Sequence, residues 1–157
     1  MYKKPVVIGV APTKRSFLSM EEAKRQKDRF MSVIQTICPD IVHLIYIDDI
    51  CENGIAYKVE DIEKIVDKFR TKNIEALLIP FCDFGEEQVA AQIAAAFKLP
   101  TLVWGSRDER PNTFEKRGRD TQCGMFAATK VLRRYGVKYS YIFNVDTDSE
   151  EFRQGFD

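Results

Sequence analysis

The sequence predicts a three-layer α/β fold, in which a five-stranded parallel sheet is covered by helices on both faces. Two observations carry this prediction. Five short apolar runs alternate with four amphipathic stretches of helix length, and most of the runs lack strict alternation of polar and apolar residues. Continuous apolar strands are typical of a parallel sheet that is buried on both faces.

Each predicted strand is a short apolar run that includes β-branched residues. The five runs are PVVIGV (5–10), IVHLIYI (41–47), EALLIPF (75–81), TLVWG (101–105) and YSYIFNV (139–145). With right-handed crossovers between the strands, this alternation predicts a flavodoxin-like sheet of strand order 2-1-3-4-5.

The predicted helices are the stretches in which apolar residues recur at helical spacing. They cover residues 20–37, 59–72, 86–97 and 122–135. Three of them are followed by a stop signal: Pro39 and Asp40 after the first, Asn73 after the second, and Gly136 at the C′ position of the fourth. Residues 148–157 begin like a further helix.

Length and charge limit the kind of protein. The 157 residues suit one domain, predicted over 1–157, and 24 basic residues balance 24 acidic ones, so no general attraction to nucleic acid or an anionic membrane is expected. The first apolar run is too short for a membrane span or a secretory leader. Four scattered cysteines without a CxxC pair favour reduced thiols and a cytoplasmic protein.

The distinctive polar residues follow the predicted strands, whereas the opposite connections are short and plain. Ligands of open α/β sheets bind outside the carboxyl ends of the strands. The loops at that edge are APTKRSF (11–17), DDICENG (48–54), CDFGEE (82–87), SRDERPNTFEKRGRDTQ (106–122) and DTDSEE (146–151).

Two of these loops contain candidate substrate contacts. Lys14 and Arg15 form either a basic grip on a hydroxylated or anionic ligand or a plain solvated loop. In CDFGEE, a turn at the glycine and a helix start at the glutamates account for the last three residues. The loop therefore leaves Cys82, Asp83 and Phe84 pointing toward the ligand edge.

The loop over 106–122 is long for an α/β connection, and such loops are often functional. Its polar side chains suit sugar hydroxyls or a subunit interface. Asp120 or Thr121 is expected to cap the helix that follows. Read as exposed charges, Arg119 and Lys14 are expected to contribute only within about 0.5 kcal/mol to stability. The candidate contacts to the pocket or a neighbouring domain are Trp104, Arg107, Arg117, Arg119 and Gln122.

Several chemical sites are not predicted. The only histidine, His43, lies in a strand run and is expected in the core, so no nucleophilic triad or zinc site is expected. Asp48, Asp49 and Glu52 are interpreted as turn formers and caps rather than metal ligands. Neither GxGxxG nor GxxxxGK[ST] occurs. No catalytic residue and no metal ligand is therefore assigned to the chain.

Several stretches resemble the N-terminal part of the L-fucose/L-arabinose isomerase superfamily, in particular its fucose isomerase-related members. The resemblance covers essentially the whole chain. The stretches are KPVVIGVAPTKR, IDDICENGIAYK, LLIPFCDFGEEQVAAQIAAAF, LPTLVWGSRDERPNT and RGRDTQCGMFAATKVLRRYGVKYSYIFN.

The resemblance implies an aldose–ketose isomerase, an intramolecular oxidoreductase, in which two α/β domains precede a C-terminal domain. It implies Mn²⁺ or another divalent metal held by the later regions, a small sugar as substrate, and a homo-oligomer. It places Lys14 and Arg15 where the family offers a basic substrate contact in trans, and Cys82, Asp83 and Phe84 where it presents an aromatic wall. Cys82 stands where the family has an indole.

The resulting hypothesis is an N-terminal domain that walls the substrate pocket and supports oligomerisation, incomplete for catalysis alone. Its partners are the C-terminal domains of the same protein. The alternative is a stand-alone flavodoxin-like module that binds a small sugar or phosphate, or mediates assembly, without catalysis. A flavin-binding domain is a third reading, which predicts a yellow protein.

Overall fold

The computed structural model describes residues 4–37, 40–109 and 118–154, and it confirms the predicted sheet. Five parallel strands lie in the order β2-β1-β3-β4-β5. The strands are β1 (Val6–Val10), β2 (Val42–Ile45), β3 (Ala76–Phe81), β4 (Thr101–Ser106) and β5 (Ser140–Val145). The helices are α1 (Met20–Ile37), α2 (Ile62–Thr71), α3 (Glu87–Ala95), α4 (Thr121–Arg134) and α5 (Glu150–Gln154).

Helices cover both faces of the sheet, and each face has its own core. Phe30 and Ile34 of α1 and Phe152 of α5 pack on one face. The other core is built by α2, α3 and α4, with Phe69 and Leu132 among its fully buried members. The three layers therefore agree with the buried apolar runs in the sequence.

Two of the predicted helix stops use the same backbone device. After α2, Asn73 has a φ of 51° and the N–H of Ile74 donates to the carbonyl of Phe69 at 3.3 Å. After α4, Gly136 has a φ of 68° and its follower Val137 donates to Leu132 at 3.0 Å. A left-handed residue at C′ followed by such a bond is a Schellman motif. Pro39 lies outside the described residues.

The expectation that His43 packs in the core is wrong. His43 lies in β2, but its side chain is exposed. The reason is that β2 is an outer strand, which among the described residues pairs with β1 alone. An outer strand is covered less completely than the central ones.

The described cysteines Cys51, Cys82 and Cys123 are free thiols, in agreement with the scattered spacing. No helix in the described part of the chain is both long enough and apolar enough to traverse a bilayer.

Candidate functional site

The loops that follow β1 and β3 are joined at the carboxyl edge of the sheet, because these two strands are neighbours. Thr13 donates its N–H to the carbonyl of Pro80 at 2.8 Å, and Cys82 donates back to Thr13 at 2.9 Å. The hydroxyl of Thr13 accepts the N–H of Glu86 at 3.0 Å. The start of α3 is thereby fixed to the first loop.

The side chain of Asp83 links the loop after β3 to the loop after β1. Its side chain is buried, and Oδ1 accepts the N–H groups of Arg15 at 2.7 Å and Gly85 at 2.8 Å. Burial raises the pKa of the Asp83 carboxyl, while these bonds and the nearby charge of Lys14 act in the opposite direction. Asp83 is therefore a buried organiser of the turn.

Arg15 and Phe84 form a stacked pair at this edge. The Arg15 guanidinium lies 4.4 Å from the centre of the Phe84 ring, within the range of a cation–π contact. Its two amino groups pair with Glu86 and Glu87 at 2.8 and 2.7 Å. These four side chains, which we call the edge cluster, combine an aromatic face with donors and acceptors.

Lys14 is not the exposed cation that the sequence suggested. It is only 2% exposed, and Nζ donates to the carbonyls of Arg15 at 2.7 Å and Ser16 at 3.3 Å. The same Nζ also lies over the ring of Tyr57, 4.8 Å from the ring centroid. Desolvation by burial lowers the pKa of Lys14, while the negative charges of the nearby carboxylates act in the opposite direction. Lys14 shapes the loop from within instead of reaching a ligand.

The sequence predicts that Cys82 points toward the ligand edge and that Trp104 contacts a pocket or a neighbouring domain, but neither side chain reaches the surface. Both side chains are completely buried in the core beneath α1 and α5. Trp104 lies between Phe30 and Phe152, with ring centroids 4.3 and 4.1 Å away. Trp104 lies inside β4, within the predicted strand over 101–105, and its indole packs on the face of the sheet that α1 and α5 cover.

Arg119 is also buried, contrary to its interpretation as an exposed charge. It is 4% exposed, and Nη2 donates to the carbonyl of Arg107 at 2.7 Å. Nε donates to Glu109 and Nη1 donates to Ser106, both at 3.1 Å. The guanidinium thus ties the two ends of the long loop to each other.

The cap of α4 comes from an unexpected residue. The sequence predicts Asp120 or Thr121 as the cap, but the side chain of Asp120 makes no capping bond and its φ is 53°. Asp108 does so instead: its carboxylate accepts the Thr121 N–H at 2.8 Å and the Thr121 hydroxyl at 2.6 Å. A carboxylate at this position also suits the helix dipole.

The remaining candidate contacts of the long loop do not belong to the edge cluster. Arg107 is exposed and pairs with Asp146 at 3.0 Å. Gln122 is exposed on the first turn of α4. Arg117 lies outside the described residues. Contacts of Arg107 and Gln122 to a pocket or a neighbouring domain stay predictions.

Gly124 is a site-building residue that the sequence analysis missed. A Cβ at this position would overlap the backbone carbonyl of Phe84. The first turn of α4 therefore packs directly against the loop after β3, which places Phe84 beside Gly124. The available signal was a glycine inside a helical pattern, which indicates a close approach of another backbone.

The acidic residues after β2 pair with lysines. Asp48 accepts from Lys27, and Asp49 accepts from Lys68. Within 4–37, 40–109 and 118–154, no three histidine, cysteine or acidic side chains come together in a way that could hold a metal ion.

We expect Arg119→Ala to lower the free energy of unfolding by about 2 kcal/mol, because it leaves the Ser106 hydroxyl and the Arg107 carbonyl without their charged donor. Urea unfolding followed by circular dichroism measures the change. Arg107→Ala is the control, since its ion pair with Asp146 is about half exposed and should contribute within about 0.5 kcal/mol. Equal, small losses in both variants would contradict the structural role of Arg119.

We expect Asp83→Asn to change how stability depends on pH. An aspartate with a raised pKa penalises folding once it ionises, so the wild type should lose stability relative to Asp83→Asn as pH rises from the ordinary aspartate pKa to the raised one. Unfolding free energies measured between about pH 3 and pH 7 test this.

Asp49→Asn is the control of opposite sign. The hydrogen bond from Lys68 lowers the pKa of Asp49, so the wild type should lose stability relative to this variant as pH falls through that lowered pKa. Parallel pH profiles for wild type and Asp83→Asn would contradict the burial of a titrating carboxyl at position 83.

The topology and the edge cluster define a flavodoxin-like α/β domain that carries its organised polar groups at the carboxyl edge. A family model described as Fucose/sulfoquinovose isomerase, N-terminal domain, matches residues 9–157. The chain belongs to this family, and the resemblance to fucose isomerases is confirmed. A comparison with curated proteins finds no similar sequence.

Proposed function

We propose that this chain is the N-terminal, substrate-walling and oligomerising domain of a metal-dependent aldose–ketose isomerase. The observation that carries the proposal is the family match over residues 9–157, which includes every residue of the edge cluster. The rest of the active site belongs to further domains of the same protein. Residues 1–157 alone are inactive in this account.

The edge cluster supports a role in holding a sugar. Phe84 offers an apolar ring, and the partly exposed carboxylates of Glu86 and Glu87 accept hydrogen bonds from hydroxyl groups. Arg15 donates, and its position is already fixed by two ion pairs and the stacked ring. A donor held in place before binding loses little side-chain entropy when a ligand arrives.

The charge of the cluster favours an uncharged sugar over an anionic one at this edge. The single guanidinium of Arg15 is matched by the two carboxylates of Glu86 and Glu87. An anionic group such as a phosphate would meet no excess of positive charge there. This observation favours the isomerase proposal over a phosphate-binding module.

The metal has no fitting site among the described residues, which contain no cluster of three possible ligands. We therefore assign no chemical step through a metal to this chain. The ligands of Mn²⁺ or another divalent ion belong, in this proposal, to the later domains. The contribution of the present chain is to hold and orient the open-chain sugar.

The proposal includes a cytoplasmic homo-oligomer, in which the edge cluster of one subunit meets the pocket of a neighbour. In this arrangement the exposed parts of Arg15 and Phe84 contact a sugar that the isolated domain alone does not enclose. A pocket completed between subunits also links activity to assembly.

Arg15→Met in the longer protein tests the proposal. We expect KM for the sugar to rise about tenfold with little change in kcat, because the residue contributes to binding and not to proton transfer. The control is Lys98→Met, which removes an exposed positive charge near the amino edge. An unchanged KM in Arg15→Met would contradict a substrate contact at this edge.

A further inference from the structure

An apolar pocket lies at the amino edge of the sheet, between the connection from α3 to β4 and the connection from α4 to β5. Its volume is about 540 Å³, and its walls include Phe97, Leu99 and Val137. These three side chains are partly buried and pack against the core beneath α2, α3 and α4. Apolar surface that is rimmed by polar groups is typical of an interaction site.

Four exposed cations lie at this pocket or directly beside its walls. Lys98 and Lys138 are among the residues that line it. Arg133 and Arg134 directly precede Tyr135, which also lines it. The described residues of the walls include no carboxylate. We call the pocket and these four cations the basic pocket.

The cations of the basic pocket differ from those at the carboxyl edge in their pairing. Arg107 and Arg119 at the carboxyl edge form ion pairs with carboxylates, as Arg15 does. The four cations of the basic pocket form no ion pair with any residue that the structure describes. The chain as a whole has balanced charge, so its unpaired positive charge is unevenly placed and is available to a partner at the amino edge.

The helix dipole accounts for only two of these cations. Arg133 and Arg134 occupy the last turn of α4, where the partial negative charge of the helix end favours a cation. Lys98 and Lys138 lie beyond the ends of α3 and α4, in the connections that lead to β4 and β5. Helix stability therefore does not explain why two lysines stand on the rim of an apolar pocket.

We infer that the basic pocket binds an acidic segment of a partner protein, with an apolar side chain of that segment inside the pocket. Carboxylates on either side of the apolar residue would meet Lys98, Lys138 and the two arginines. Clusters of cations are a recurrent means of recognising acidic peptide motifs. The inference goes beyond the proposed function and does not depend on it.

The shape and chemistry of the basic pocket favour a polypeptide over other anions. A nucleic acid backbone would match the positive charge but would leave the apolar walls uncovered. A flat membrane surface cannot fill a concave pocket. Exposed ion pairs are individually weak, so the apolar contact has to supply much of the affinity, while the cations attract and orient the acidic segment.

Fluorescence anisotropy with a labelled peptide tests the charges. The probe is a short peptide of aspartate and glutamate with a central leucine and phenylalanine, titrated with residues 1–157. We expect Lys98→Gln combined with Lys138→Gln to raise Kd about tenfold. Lys24→Gln combined with Lys58→Gln is the matched control, because it removes the same charge from exposed positions outside the pocket and should change Kd less than about twofold.

Two further measurements test the apolar part. Ala95 is partly buried at the end of α3 and lines the pocket, so Ala95→Phe would fill it and should raise Kd about tenfold. Circular dichroism checks that this variant is folded. A second peptide, in which serines replace the leucine and phenylalanine, should bind the unchanged chain about tenfold more weakly and needs no variant.

Several results would overturn the inference. Equal losses in the two lysine pairs would mean that only diffuse charge attracts the peptide, and equal affinity for the two peptides would mean that the pocket is not used. Tighter binding of a single-stranded DNA oligonucleotide or of phosphatidylserine vesicles would assign the surface to another partner. Self-association that is lost with Lys98 and Lys138 would assign it to a second copy. Isomerase activity is not measured, so none of these results bears on the proposed function.

Discussion

Gly124→Ala is expected to lower the free energy of unfolding by about 3 kcal/mol or more. The new methyl group would occupy the position of the Phe84 carbonyl, and a backbone carbonyl cannot move aside as the end of a flexible side chain can. Overpacking typically costs about 1–3 kcal/mol, and a clash with backbone lies at the upper end or beyond. The better helix propensity of alanine recovers only about 1 kcal/mol.

Urea unfolding of residues 1–157 measures this effect, with Gly118→Ala as the matched control. A Cβ at position 118 would lie 3.7 Å from the Glu109 carbonyl, an ordinary contact, so that variant should remain within about 0.5 kcal/mol of the wild type. If Gly124→Ala were as stable as the control, α4 would not pack against the loop after β3 as described.

Trp104→Ala is expected to cost about 3–5 kcal/mol, as for other large aromatic side chains removed from a core. The indole is completely buried and contacts Phe30 and Phe152. The loss includes the burial of the ring and the cavity that the smaller residue leaves. Circular dichroism follows unfolding in both proteins, since the variant has no tryptophan left for fluorescence.

Phe17→Ala is the control for this prediction, because Phe17 is 82% exposed and its removal should change stability by less than about 0.5 kcal/mol. A similarly small loss for Trp104→Ala would restore the earlier interpretation, in which Trp104 contacts a pocket or a neighbouring domain. A large loss assigns it to the core.

The fold was predictable because the hydrophobic pattern is produced by burial over whole elements. The observed strands begin within one residue of the predicted ones, and the sheet order is the predicted one. β2 ends at Ile45, two residues before the predicted end. The remaining differences lie at element ends, where local pattern is least informative.

The site was less predictable because its key contacts join residues that are distant in sequence. Asp108 caps a helix that begins 13 positions later, and Gly124 contacts a loop 40 positions earlier, as the residue numbers 124 and 84 show. Long cationic side chains add a second difficulty. Lys14 is buried and Arg15 is partly exposed, although they are adjacent and carry the same charge.

The family assignment came from a different kind of signal. Segment order over the whole chain indicated a fucose isomerase-related domain, and the match over residues 9–157 confirms it. Physical reasoning contributed the location of the polar edge, and the structure then separated its members. The edge cluster consists of Arg15, Phe84, Glu86 and Glu87. Lys14 and Asp83 are buried and support it from inside.

A side-by-side isomerase assay of residues 1–157 and the longer protein, with Mn²⁺ and a panel of aldoses, tests the central claim most directly. The account predicts turnover by the longer protein at about 1–10³ s⁻¹ and none by residues 1–157. Turnover by residues 1–157 alone, or a longer protein that isomerises none of the sugars, would contradict it.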